Sequence, residues 1–226
     1  MRLKYITVFL FLLYFTSASR AQSEAPADSS DVFTYRQNIF LKCLFTKGIA
    51  EGVALRSYLR SRAWDEFRKN HSETESFDEI FEDTDELCRD NRTAAILASS
   101  IACLDHKIIP LKLFFGITLP LPLTLESQDD FDTRVSKLPD RIYDPKISDR
   151  DKLQHFFFSA YLMRTLKMNW LVGLLGDAVE IGENLFIVGG ADDPRDRHAN
   201  KDGRRFGGDC DADIVTLAST YLTPNP

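Results

Sequence analysis

The chain has 226 residues, a net charge of −6 and 44% hydrophobic residues. Such an acidic balance excludes general nucleic-acid binding, which needs clustered positive charge to neutralise phosphates. The length suffices for one good core, arranged as one domain with two subregions.

Residues 1–21 read as a signal peptide. Arg2 and Lys4 precede the apolar run "YITVFLFLLYF", and Ser19 and Ala21 stand at small-residue cleavage positions. The expected destination is therefore export, to the periplasm or outer cell envelope. Arg2, Lys4 and Arg20 leave with this segment and no acid does, so the mature chain is more acidic still. Residues 22–30, "QSEAPADSS", are small and polar and predict a disordered N-terminus.

Residues 31–125 predict an N-terminal helical region. Asp31 caps an expected helix over 32–63, whose apolar positions include Phe33, Phe40, Leu44, Ile49, Leu55 and Leu59. Gly48 and Gly52 lie four apart, a spacing that permits close helix approach. The acidic stretch 70–90 carries a thin apolar stripe of Phe77, Ile80, Phe81, Leu87 and Cys88, so it predicts an amphipathic helix with a solvated acidic face. Its acids lack the spacing of a calcium loop. Residues 92–107 predict a buried helix. The segment 108–125 is apolar, but Pro110, Pro120 and Pro122 interrupt it too often for a membrane-spanning helix. It predicts an extended segment packed in the core and, where exposed, the membrane-contact candidate of the chain. Residues 126–147 read as a linker.

The C-terminal region, 148–222, predicts three helices. The first spans about 149–167 with Ser148 as N-cap, the second about 169–187, and the third about 209–222 with Asp209 as N-cap. A Gly- and Arg-rich loop joins the last two. The fold class is all-α, an N-terminal helical region packed with a C-terminal three-helix unit.

Four cysteines, Cys43, Cys88, Cys103 and Cys210, form no Cys-x-x-Cys pair, which argues against a zinc knuckle. In an exported chain they are disulfide candidates, with Cys43 to Cys88 or Cys103 favoured over the alternatives; the competing reading is buried thiols.

Polar residues recur on one stripe of each C-terminal helix. Asp151, His155 and Ser159 are four apart; Glu180 and Glu183 follow on the second helix, and Asp209 and Asp213 on the third. Acids on such apolar helices are buried or line a cleft, and buried charges need partners. His155, Lys152 and the loop arginines Arg195, Arg197, Arg204 and Arg205 are the supply.

The run "DKLQHFFFSAYL", a following Gly-rich helix with "EIGE" and an Asp-rich last helix resemble uncharacterised bacterial envelope proteins related to the VanZ-like superfamily. The resemblance covers residues 148–222 and falls on Asp151, Lys152, His155, Phe156, Ser159, Glu180, Glu183, Asp209 and Asp213. Glu183 stands where that pattern usually has Asp, and Val179 where it often has Lys. The resemblance implies an envelope location and a helical architecture, and it assigns no reaction.

Three functions compete. The leading one is structural: Asp151, Lys152, His155, Ser159, Glu180, Arg197, Asn200, Asp209 and Asp213 form a network that pins the helices. The second is catalytic, as a hydrolase of an envelope lipid or cell-wall substrate. His155 then acts as general base beside Glu180, or a divalent metal ion is held by His155, Glu180, Glu183 and Asp213. The third is an anion-binding module, its arginines gripping a phosphate headgroup.

Overall fold

The computed structural model describes residues 48–89, 91–112, 118–124, 126–174, 193–210 and 217–223. The stretch read as a signal peptide, the polar residues after it, Cys43, Glu180, Glu183 and Asp213 lie outside the described residues. Helix dominates, as the sequence predicts.

Helix α1, Ile49–Arg60, starts at Gly48, whose φ is 103°. A Cβ at Gly48 would sit 2.7 Å from the Ala94 carbonyl oxygen, and one at Gly52 would sit 2.7 Å from that of Ala98. The expected close helix approach is real. The single helix expected through residue 63 is corrected to two. Ser61 is extended and its Oγ accepts from the Trp64 amide at 3.3 Å, so it ends α1 and caps α2, Arg62–Asn70. Helix α3, Glu73–Cys88, opens with a capping box: the Ser72 amide donates to Glu75 and the Glu75 amide to the Ser72 hydroxyl. It turns Phe77, Ile80 and Phe81 inward, buries Asp78 with them, and exposes Glu75, Glu82 and Glu86.

Helix α4, Arg92–Ala102, is buried along nearly its whole length and ends five residues earlier than expected. Within residues 108–125, β1, Ile108–Lys112, pairs antiparallel with β2, Thr118–Pro122. Pro110 sits opposite Pro120, where neither can donate to the ladder. The stretch read as a linker contains helix α5, Gln128–Ser136, capped by Ser127. Helix α6, Arg150–Leu166, begins one residue later than expected, after Asp149 rather than Ser148. Residues 169–174 are helical.

The largest correction is helix α7, Pro194–Asp209. The sequence predicts a loop there and a helix starting at Asp209. Instead Asp193 caps the helix, its carboxylate accepting from the Arg195 amide at 2.9 Å, and Pro194 occupies the first turn. Gly203 and Gly207 look like loop residues because glycine weakens helices. Here they are required by packing. A Cβ at Gly203 would lie 2.0 Å from the Phe156 carbonyl oxygen, and one at Gly207 would lie 2.2 Å from that of Ala160. A short 3-10 helix, Ala218–Tyr221, follows.

The regions on either side of residue 126 share one core. Phe77 and Phe81 of α3 pack on Phe157 of α6 and, respectively, on Phe156 and on Phe206 of α7, with ring centroids 5.0–6.5 Å apart. Phe156 and Phe157 are fully buried, whereas Phe158 points outward at 43% exposure. Among the described residues no disulfide forms: Cys88, Cys103 and Cys210 are buried thiols. Burial pushes the Cys103 thiol up to about 12, which keeps it protonated and inert toward oxidation.

Candidate functional site

Helices α6 and α7 run side by side in the same direction. Lys152 meets Asp196, Phe156 meets Gly203, and Ala160 meets Gly207. Two helices packed this way place both positive dipole ends together. Asp149 and Asp151 stand at the start of α6, and Asp193 and Asp196 at the start of α7. The four acids complement two adjacent helix N-termini and then repel one another.

Lys152 resolves that repulsion. Its Nζ donates to Asp151 Oδ2 at 2.6 Å, to Asp193 Oδ2 at 2.9 Å and to Asp196 Oδ1 at 2.5 Å. An ammonium has three donors, and all three are used. The side chain is fully buried. Burial works against its charge, but the bonds to Asp151 and Asp196 outweigh it and raise its pKa above the usual lysine range. Arg195 adds a second cation, with Nη2 2.7 Å from Asp193 Oδ2 and Nη1 3.3 Å from Asp149 Oδ1.

Asp193 and Asp196 both touch Lys152 yet shift in opposite directions. Burial acts to raise Asp193, but Arg195 and Lys152 together hold it well below the carboxylate range. Asp196 is more deeply buried, with 7% side-chain exposure against 26% for Asp193, and burial raises its pKa. His155 Nε2 lies 3.4 Å from Asp196 Oδ1, and its ring keeps 20% exposure at the rim. One turn on, the Ser159 hydroxyl donates to Asn200 Oδ1 at 2.7 Å.

The expected stripe of Asp151, His155 and Ser159 therefore does face a polar partner helix, together with Lys152 and Asn200. Two expected members of the network sit elsewhere. Arg197 is on the exposed face of α7. Asp209 ends α7, thirteen residues or about 20 Å along the helix from Asp196, and among the described residues it accepts a long 3.4 Å bond from Tyr221. Asp193 and Asp196 were missed, although "DPRD" carries a helix-start signal of cap, proline and first-turn acid.

Asp151, Asp193 and Asp196 each offer an oxygen within 4.8 Å of the others, the spacing of a metal cage. Lys152 Nζ already stands among them. These carboxylates hold an internal cation and accept a metal only after lysine leaves.

A second buried cluster was not visible in the sequence. Arg134 is fully buried and donates to both Glu126 oxygens at 2.8–3.2 Å, and to the Ala102 and Leu104 carbonyls at 2.9 and 2.7 Å. Arg56 bonds the Ile101 carbonyl at 2.7 and 3.0 Å and Thr124 at 2.7 Å, and Arg60 reaches Glu126 at 2.8 Å. Burial works to raise Glu126, but the three arginines prevail and bring it down to about 2.

Compared with protein-family models, curated proteins and solved structures, the chain matches none. No helix among the described residues is long and apolar enough to cross a membrane.

Proposed function

We propose that the chain is an exported cell-envelope protein, related to the VanZ-like group, in which the α6–α7 polar cluster is a clamp rather than a reaction centre. The observation that carries this reading is the state of Lys152. It is fully buried, its three donors are bound to three carboxylates, and its charge is held on. A lysine so engaged is neither a nucleophile nor a base. Its role is to let two parallel helices bring their acid-capped ends together. Thermal unfolding tests the clamp. Lys152→Met should lower the melting temperature by several degrees, and an unchanged melting point would refute it.

One observation favours a catalytic alternative. His155 sits at the rim, partly exposed, with Asp196 behind it, which is the arrangement of a general base steered by a carboxylate. An envelope-lipid or cell-wall hydrolase built on this pair loses activity in His155→Gln while its melting temperature stays within a degree or so of the parent. A clamp shows no hydrolytic activity to lose. Elemental analysis of chelator-free protein decides the metal-dependent version, in which Glu180, Glu183 and Asp213 join His155.

A further inference from the structure

The outer face of α7 carries a pattern unrelated to the clamp. Its acids Asp196 and Asp202 are buried, while Arg197, Lys201 and Arg205, four residues apart, form an exposed row that ends at the exposed Asp209; Arg205 also lies 3.5 Å from Asp202 and over the Tyr221 ring. Arg204 lies beside that row, its guanidinium carbon 4.0 Å from where a Cβ on Gly173 would sit. Gly173 belongs to the helical stretch 169–174. That stretch turns Val172 inward at 1% exposure and leaves Trp170 at 68% and Leu174 at 57%. Met168, at 41%, and the exposed Lys167 precede them. No acidic residue occurs between Lys152 and Gly176, in a chain whose net charge is −6. A tryptophan, a leucine and a methionine thus border a row of cations on an otherwise acidic protein.

We propose that this face docks on an anionic lipid surface. Tryptophan favours the headgroup level, where its ring is buried and its N–H stays wet, and methionine and leucine reach the acyl boundary. The row on α7 and Lys167 then face the lipid phosphates. A neutral apolar partner would offer Lys167 and Lys201 no anion, and a purely acidic one would leave Trp170 in water. None of these residues holds Lys152, so the docking face stands or falls separately from the clamp.

Vesicle binding by the full chain tests it, with phosphatidylcholine alone and with phosphatidylcholine containing phosphatidylglycerol. The apolar first residues meet both vesicles alike, so dependence on the anionic lipid isolates the charged face. Binding to the anionic vesicles is expected to weaken with salt and to shift tryptophan emission to the blue. The chain has two tryptophans and Trp64 is fully buried, so the shift reports Trp170. Lys167→Gln with Lys201→Gln, two exposed positions, should weaken binding more than tenfold at a nearly unchanged melting temperature, given about fivefold per charge. Trp170→Ser should abolish the blue shift. Equal binding to both vesicles, or anionic binding that both variants retain, overturns the proposal. Polyglutamate bound as tightly as vesicles also overturns it, in favour of an acidic polymer.

Discussion

The two buried charge clusters are built in opposite proportions. Around Glu126, three arginines surround one carboxylate. Around Lys152, three carboxylates surround one ammonium, with Arg195 and a fourth acid behind. Each surplus has its own absorber. The extra arginine charge faces the carbonyls at the negative end of α4, at Ile101, Ala102 and Leu104. The extra acids face the positive ends of α6 and α7. In both places the helix dipole selects the sign of the surplus. Both clusters reach the surface at one edge, through Arg60 at 22% side-chain exposure in the first and His155 at 20% in the second, but only the second presents an imidazole there.

The largest effect expected from breaking this comparison is at Arg134. Arg134→Met strips Glu126 of its main partner in a buried site and should cost about 3–5 kcal/mol in denaturant unfolding. Lys152→Met should cost somewhat less, about 2–4 kcal/mol, because Arg195 remains and part of the cluster is wet. It also opens the carboxylate cage. Millimolar calcium should then raise the melting temperature of Lys152→Met and leave the parent unmoved; an equal response from both would end the view that lysine fills a cation site.

Acid sharpens the comparison next. Glu126 and Asp193 both have folded pKa values below their unfolded ones. Their stabilisation is present above about pH 4 and is lost as pH falls through the folded values. The Glu126→Gln and Asp193→Asn variants should each flatten that acid limb. Asp83 works the other way. Burial raises it to about 7, and its Oδ2 is buried without a hydrogen-bond partner among the described residues. Its penalty grows as pH rises from about 4 to 7, so Asp83→Asn should raise the melting temperature by a few degrees at about pH 8 and change little at about pH 4. The smallest effect is His155→Gln, expected within about 1 kcal/mol at this partly exposed rim.

The sequence displayed the clamp from one side. Asp151, His155 and Ser159 fall on one stripe of a helix with clear periodicity, so the need for a polar partner was legible. The partner helix was not, because Gly203 and Gly207 mimic loop residues until the carbonyls of Phe156 and Ala160 are known to lie against them. The arginine cluster was invisible for a different reason. Arg56, Glu126 and Arg134 are joined only by tertiary folding, and residues 126–147 look like a linker because their buried surface is polar. The capped helix α3 and the small-residue helix α4 were readable, since their apolar faces repeat with helical period.

The shared direction of α6 and α7 has a consequence for synthesis. Antiparallel neighbours zip from a short turn. These two cannot, because Leu166 ends one helix far from where Asp193 starts the other, and 43 residues separate the last residue of α6 from the last of α7. At about 5–20 residues per second, α6 emerges from the ribosome some two to nine seconds before α7 is complete. Through that interval the lysine and the groove beside Phe156 and Ala160 wait uncovered, so a nascent chain stalled before Asp193 is the form a chaperone or protease should recognise.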